Sequence, residues 1–162
     1  MSVYIIVISY KETAMSGIVF TLSTGEVALV AATVKTVLQA VAPTNQRQKI
    51  LGWGVYFDGT SPAGEPVIVE MVRQSTAGTM TALSAVKVSP GSETVQSTAQ
   101  HTATVEPTLT DVIFRKEVHP QSGYEMTFPL GQEIPNVGGG RIGIRCTAPA
   151  GVNCVASLTI EE

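Results

Sequence analysis

The sequence predicts an all-β protein, an antiparallel, jelly-roll-like β-sandwich with eight to ten strands and little helix. Apolar runs of strand length recur along the chain, and turn-forming residues separate them roughly every 8–15 residues. Within the runs apolar side chains alternate, which places every second side chain on one packed face. Many short strands with frequent turns are typical of a sandwich or jelly roll rather than a βαβ fold.

The centre of the predicted fold is the stretch Arg47–Gln74. It contains two apolar strands, Lys49–Phe57 and Pro66–Gln74, joined by the turn-rich sequence DGTSPAGEP. In the first strand the large side chains, which include the only tryptophan of the chain, occupy alternate positions and are predicted to lie in the core: Leu51, Trp53, Val55 and Phe57. Gly52 and Gly54 place no side chains on the opposite face, so another backbone or sheet could lie close against it.

The segment Glu26–Ala42 fits two structures. Apolar residues at helical spacing and a Ser23-x-x-Glu26 capping box favour a helix. Its many β-branched residues favour strands, because branching at Cβ restricts χ1 in a helix and suits a pleated sheet. We predict two strands, Val27–Ala31 and Thr36–Ala42.

The second half of the chain predicts further strands at Asp111–His119 and Tyr124–Leu130. A final hairpin is predicted from Arg141–Cys146 and Val152–Ile160, centred on Ala150. Four further core residues come from these strands: Phe114, Phe128, Ile142 and Ile144. In the predicted register Cys146 and Cys154 lie opposite each other as small buried residues, with a cross-strand disulfide as the alternative. Arg141 points outward and is a candidate interface residue.

A polar segment, Ser92–Thr110, separates the two halves. It has no long apolar run and six of its residues are threonine. Long segments of this kind in compact domains are often functional loops. We predict an exposed or partner-facing loop, with an ordinary solvated crossover as the alternative.

The N-terminus predicts an arm or a first strand over residues 1–22, followed by one β-sandwich domain over residues 23–162. Val3–Ile8 is apolar but too short for a membrane span, and it lacks the basic start of a secretory signal. We expect no membrane association. The candidate interface residues of this arm are Val3, Tyr4, Ile5, Ile6 and Val7.

The composition favours a neutral surface. Charged residues make up 14% of the 162 residues, against roughly 25% in ordinary soluble domains. Such a surface is compatible with burial against other subunits. The net charge is −3 and the basic residues are spread along the chain, so no basic patch predicts nucleic-acid binding.

No catalytic, cofactor or metal motif stands out. The two histidines, His101 and His119, have no HxH or HxxxH partner. There is no GxSxG elbow, and Gly138-Gly139-Gly140-Arg141 lacks the GK[ST] of a phosphate loop. Asp58-Gly59 is typical of a tight turn. We expect a protein that is not an enzyme.

Five segments of the sequence are similar to those of a known class of protein: TGEVAL, AATVKTVLQAVAP, NQRQKILGWGVYFDGTSP, EPVIVEMVRQ and RKEVHPQSGYE. From Gly25 to the C-terminus the chain resembles small structural proteins of tailed phages and prophages, of the head decoration (capsid cement) or minor capsid type. The resemblance implies a β-rich, often trimeric subunit that binds at local symmetry axes of a capsid lattice. The first twenty residues do not match this pattern.

Three hypotheses of function follow. The first is a non-enzymatic virion structural protein, a homotrimer that binds the major capsid protein or another virion protein and is assembled in the host cytoplasm. The second is a glycan- or receptor-binding β-sandwich, such as a head fibre or tail accessory domain. The third, a cupin-type hydrolase, needs a histidine-rich metal cluster, and the chain has two histidines.

Overall fold

A computed structural model describes residues 17–61 and 64–162 of the chain. These residues form thirteen strands: β1 (Val19–Ser23), β2 (Val27–Leu29), β3 (Val34–Val41), β4 (Gln48–Phe57), β5 (Val67–Gln74), β6 (Thr79–Leu83), β7 (Val86–Lys87), β8 (Thr98–Val105), β9 (Leu109–Val118), β10 (Gly123–Thr127), β11 (Ile134–Asn136), β12 (Arg141–Thr147) and β13 (Val152–Glu161). In the described ranges no helix is long and apolar enough to cross a membrane.

The strands form two antiparallel sheets packed face to face. The first sheet has the order β10-β4-β13-β1-β7, with β11 also on β4 and β2 also on β13. The second has the order β6-β8-β3-β12-β5-β9. The predicted all-β sandwich is therefore confirmed.

The pairing pattern is that of a jelly roll. β1 and β2 share one strand position along β13, and β10 and β11 share one along β4. The remaining pairs run from the ends of the chain inward: β3 with β12, then β5 with β9. A long antiparallel hairpin wrapped into two sheets gives these nested pairs, which define the fold.

Three strands of an insertion between β5 and β9 raise the strand count above the predicted eight to ten. β8 pairs with β3 and β6 with β8, so both extend the second sheet. β7 pairs with β1 and extends the first sheet. The insertion therefore widens the sandwich on one side only.

The segment Glu26–Ala42 forms strands and not a helix. β2 and β3 lie close to the predicted strands. A bulge between Thr36 and Leu38 lets the consecutive residues Val37 and Leu38 both lie in the core, which gives β3 apolar residues at helical spacing. This bulge shifts the alternation by one residue.

The predicted final hairpin is wrong. β12 pairs with β3 and β5 in the second sheet, whereas β13 pairs with β1, β2 and β4 in the first. The turn after β12 thus carries the chain across the sandwich. Apolar alternation predicts the buried face of a strand but not its neighbour, and both arrangements bury the same residues.

Cys146 and Cys154 are buried as predicted, but they come from opposite sheets and are free thiols.

The predicted loop over Ser92–Thr110 is also wrong for most of its length. It contains β8 and the start of β9. The inward residues of β8 include Ala99 and Ala103, which are 5% and 4% exposed. Because these inward residues are small, the sequence of β8 shows no alternation of large apolar side chains. The β-branched threonines between them nevertheless suit a strand.

The core lies between the sheets and is centred on β4. Trp53, Val55, Ile142 and Ile144 are almost fully buried, Phe128 is 7% exposed, and Phe57 and Phe114 pack against this core while partly buried. Leu51 does not join it. On β13, Thr159 pairs with Gly52 and Ile160 with Ile50, so Leu51 is the extra residue of a bulge and Ile50 takes the inward position.

The glycine face of β4 is covered by a side chain rather than by a second sheet. A Cβ on Gly54 would lie 3.3 Å from the Tyr56 ring, and one on Gly123 would lie 2.2 Å from it. The tyrosine therefore lies flat across two glycines on the outside of the first sheet.

The first strand of the sandwich begins before the predicted boundary at residue 23. β1 pairs with β13 and β7, and Phe20 and Leu22 are buried in the core. Gly17 and Ile18 continue this pairing: the Ile18 amide donates to the Glu162 carbonyl at 2.9 Å. The predicted arm residues Val3–Val7 lie outside the described residues.

Thr102 in β8 offers a test of this fold, because it has a φ of 55°. A left-handed conformation costs a β-branched residue about 1–2 kcal/mol, which glycine does not pay. We expect Thr102→Gly to be less destabilising than Thr98→Gly, at an exposed ordinary position of β8, by about 1 kcal/mol. Urea unfolding of both variants measures this difference. Equal losses at the two positions would contradict the strained conformation.

Candidate functional site

The interior of the sandwich is filled by side chains. The largest that are almost fully buried include Trp53, Phe20, Met71, Ile144 and Leu158. In jelly rolls that bind ligands between their sheets, this interior holds the site. Here packed side chains occupy the interior. The surfaces that remain for function are therefore the outer faces of the sheets, their edges and the connecting loops.

Two sheet edges lie together on one side of the sandwich. β9 ends the second sheet, and β10 with β11 ends the first. We call the strip between them the β9–β10 seam and define it by Phe114, Lys116, Tyr124, Met126 and Phe128. Along the seam, the unpaired strand edges of both sheets are exposed to solvent.

Aromatic contacts close the seam. Phe114 of β9 stacks on Phe128, with ring centroids 5.7 Å apart, and the Lys116 ammonium lies 5.5 Å from the centroid of the Tyr124 ring. Tyr124 in turn packs against Trp53 at 5.2 Å. Phe114, Tyr124 and Met126 remain partly exposed. The seam is therefore an apolar strip with one cation beside it.

Trp53 carries an unpaired donor behind this strip. The residue is 2% exposed, and its indole N–H has no hydrogen-bond acceptor among the described residues. A buried unpaired donor costs about 1–3 kcal/mol. Behind the seam, one buried hydrogen-bond donor therefore has no acceptor among the described residues.

The outer face of the second sheet holds a charged cluster built on Glu70 of β5. Arg115 Nε of β9 donates to Glu70 Oε1 at 2.7 Å, and Arg145 Nε of β12 donates to Oε2. The Glu70 side chain is 4% exposed. Burial raises the pKa of Glu70, but the hydrogen bonds from Arg145 and then Arg115 outweigh burial and lower its pKa overall.

A second polar network on the same face ties the insertion to the sandwich. The Thr36 amide and hydroxyl donate to the Glu106 carboxylate at 2.9 and 2.6 Å. The Gln74 amide donates to the Thr36 hydroxyl at 3.0 Å, and the Gln39 amide donates to Gln74 Oε1 at 2.7 Å. Gly143 makes room, because a Cβ there would lie 2.5 Å from Gln74 Oε1.

Arg141 lies at the start of β12, beside this network. It is half-buried and pairs with Val41 and Gln74 across its two neighbouring strands. Gly139, with a φ of 72°, gives the chain the turn that precedes it. The other candidate interface residues, Val3–Val7, lie outside the described residues, so the grouping of Arg141 with them stays a prediction.

The turn predicted at Asp58 has a defined role. Its carboxylate accepts from the Asn153 amide and from Asn153 Nδ2, both at 2.9 Å. It thereby ties the β4–β5 connection to the start of β13. A shallow cleft beside it is lined by Glu26, Tyr56, Asp58 and Asn153.

Tyr56 is the exposed aromatic side chain of this cleft. It is 44% exposed, and its hydroxyl donates to Glu125 Oε2 at 2.7 Å. The hydrogen bond to this carboxylate raises the pKa of Tyr56. One face of the ring covers Gly54 and Gly123, which leaves the other face free for a ligand.

The two cysteines are buried free thiols. A hydrogen bond with the Cys154 thiol, followed by burial, raises the pKa of Cys146 well above its usual range. His101 bonds to Thr102 Oγ1 through Nδ1, and His119 Nδ1 accepts from the Gln121 amide. Within residues 17–61 and 64–162, no three His, Cys, Asp or Glu side chains form a group that could hold a metal.

Sequence reasoning missed the seam, the Glu70 cluster and the Glu106 contacts. Each joins residues far apart in the chain, so local alternation contained no sign of the partners. One signal was available for Glu70: a carboxylate between Val69 and Met71 in an apolar strand needs a compensating cation.

Comparison of the chain with profiles of known families, with curated proteins and with solved structures found no match.

The Glu70 cluster generates a stability prediction. Glu70→Gln leaves two guanidinium groups facing each other without a counter-charge, so we expect it to lower the free energy of unfolding at pH 7 by about 3 kcal/mol. The matched control is Glu117→Gln, at an exposed position of β9, with an expected change below about 0.5 kcal/mol.

The same variant predicts a pH dependence. Because the folded-state pKa of Glu70 is lowered, its contribution is present above the unfolded-state value of about 4.3 and is lost as pH falls through the folded-state value. Urea unfolding from pH 7 to pH 3 should show the gap between wild type and Glu70→Gln narrowing. A gap that stays constant or widens on acidification would contradict the ion-pair account.

Proposed function

We propose that the chain is a non-enzymatic structural subunit of a virus particle, a capsid decoration or stabilising protein of the kind that tailed phages and prophages encode. In this proposal it forms a homotrimer and binds the major capsid protein or another virion protein. It is located in the virion and is assembled in the host cytoplasm. Each added interface raises the free energy needed to open the shell.

One observation carries the proposal: the jelly roll has an interior filled by side chains, and partly exposed apolar side chains line the seam between two of its sheet edges. Jelly rolls serve as capsid domains, lectins and cupins. A cupin holds its chemistry between the sheets, where this chain has Trp53, Met71 and Leu158. A structural subunit instead uses edges and outer faces, and burial against another subunit covers edges that otherwise promote aggregation.

The low charge supports the same function. Only 14% of residues are charged, and interface cores are depleted in charged residues. The N-terminal arm fits a subunit that adds a strand to the sheet edge of a neighbour.

The oligomeric state tests the proposal. We expect size exclusion with light scattering to give about three times the 17.0 kDa chain mass for the full chain and a smaller species for a chain that starts at Met15.

The composition of virus particles is a second test. In purified particles from the encoding virus or induced prophage, mass spectrometry should find the chain in a fixed ratio to the shell protein. Particles that lack it would contradict the virion role, whatever the oligomeric state.

A glycan- or receptor-binding function is the alternative, and Tyr56 favours it. Sugars stack on exposed aromatic faces and bond to nearby carboxylates and amides, and the cleft beside Tyr56 offers Asp58, Glu26 and Asn153. If this function is right, a glycan array should identify a ligand, and Tyr56→Ala should weaken binding at least about tenfold. The matched control is Tyr124→Phe, in the seam. No bound glycan, or unchanged binding by Tyr56→Ala, would rule out this role.

A further inference from the structure

We propose that Cys146 and Cys154 are an oxidisable pair, which a low-molecular-weight disulfide such as oxidised glutathione converts into a disulfide bond between the two sheets. The bond joins β12 of the second sheet to β13 of the first. This modification goes beyond the structural role proposed above and does not depend on it, because it follows from the positions of two side chains within one chain.

Both cysteines enter the same core from opposite sheets. Cys146 pairs with Val69 of β5, and Cys154 pairs with Phe57 of β4. The two cysteines are 0% and 1% exposed, belong to one hydrophobic cluster and are the only cysteines of the chain. Their thiols are hydrogen-bonded to each other. The two sulfur atoms are therefore already neighbours across the space between the sheets.

The connection between β12 and β13 holds this pair at one end of the sandwich. Residues 148–151 alone carry the chain from one sheet to the other. Ala148 is fully buried, and its carbonyl accepts from the Ala32 amide at 2.8 Å. A crossing this short keeps the two strand ends near each other.

A disulfide across the core of a sandwich is sterically reasonable at such a place. The bond needs Cα atoms about 4.4–6.8 Å apart, which is less than the roughly 10 Å between packed sheets. It therefore forms where two strands approach more closely than the sheets do on average. Immunoglobulin domains, in which a disulfide joins the two sheets, show that a sandwich accommodates this linkage.

Thiol–disulfide exchange provides a balanced route to the bond. The Cys154 thiolate attacks one sulfur of the small disulfide, which forms a mixed disulfide and releases one small thiolate. The Cys146 thiol then loses its proton, and its sulfur attacks Cys154 Sγ and expels the second small thiolate. Two cysteine thiols lose two electrons and two protons in total, and one small disulfide is reduced to two thiols.

The surroundings of the two thiols set this order of attack. Cys154 is among the residues that line the shallow cleft beside Tyr56. The hydrogen bond with Cys154, followed by burial, raises the pKa of Cys146 well above its usual range, so Cys146 provides little of the reactive thiolate. Because Cys154 is itself 1% exposed, exchange needs a local opening of this end of the sandwich and is slow in the folded chain.

The redox environment decides which form of the pair is present. Glutathione keeps thiols reduced in the cytosol, whereas disulfides persist outside the cell. In a virion subunit the pair is reduced during assembly in the host and becomes a cross-link between the sheets after release. The bond constrains the unfolded chain and so stabilises the folded one. This consequence, unlike the bond itself, rests on the proposed function.

Incubation of the reduced, purified full chain with oxidised glutathione tests the proposal. Mass spectrometry of the denatured chain, after alkylation of free thiols, should show a single chain that has lost two hydrogen atoms and carries no alkyl group. We expect the melting temperature to rise by about 5–10 °C, because a bond between residues 146 and 154 lowers the entropy of the unfolded chain. Reduction with dithiothreitol should reverse this rise.

The matched controls are Cys146→Ala and Cys154→Ala, each of which keeps one thiol. Neither variant can close the bond, so oxidised glutathione should raise the melting temperature of neither. Cys146→Ala should form the mixed disulfide at Cys154 at least about tenfold faster than Cys154→Ala forms it at Cys146. Equal rates would overturn the order of attack.

Three results would overturn the proposal itself: two free thiols after prolonged oxidation, a disulfide between chains instead of within one, or an oxidised chain that melts no higher than the reduced chain. All of them concern the isolated chain. The virion role is decided separately, by the presence or absence of the chain in purified particles.

Discussion

The structure depends on one constraint: two sheets bury their apolar faces only against each other, and β4 and β13 form the centre of that contact. The inward residues of β4 include Trp53 and Val55, and those of β13 include Leu158 and Ile160. This jelly roll meets the constraint by crossing between the sheets at eight of its twelve connections. Residues distant in sequence, such as Phe20 and Ile160, then become direct neighbours. Most contacts of this fold therefore join residues that are distant in the sequence.

Polar networks fix what apolar packing leaves undetermined. The sheet interior accepts any apolar residue of suitable size, whereas the outer face of the second sheet requires particular partners. Glu70 needs both Arg145 and Arg115, which come from the strands on either side of it. Thr36 needs Glu106, which belongs to the connection that follows β8. These contacts specify strand order and attach the insertion, because a shifted register leaves a buried charge or amide without a partner.

How much of this was predictable follows from the range of each interaction. Alternation is a local property, and it predicted the sandwich and most of the core, whereas β-branching predicted the strands within Glu26–Ala42. Leu51 failed because a bulge shifts the alternation without a mark in the sequence, and the inward position passes to Ile50. β8 was missed because its inward residues are alanines. The partner of each strand was not predictable, as the crossing between β12 and β13 shows. Of the candidate surface, the β9–β10 seam was not predictable, because β9 and β10 belong to different sheets and come side by side only in the fold.

The two sides of the sandwich protect their strand edges in different ways. On the side of the insertion, β7 is two residues long and its Lys87 ammonium donates to the Glu93 carbonyl at 2.8 Å. Short strands and charged side chains protect a sheet edge from adding another strand. On the opposite side, β9 is long, and the strip beside it consists of partly exposed aromatic and methionine side chains closed by Lys116 and Phe128. Natural sheets protect such an edge unless something covers it. On β9 this protection consists of the charged residues Asp111, Arg115, Lys116 and Glu117 and of two bulges in its pairing with β5. Both sides of the sandwich therefore oppose the addition of a further strand, one by a short edge strand and the other by charge and irregular pairing.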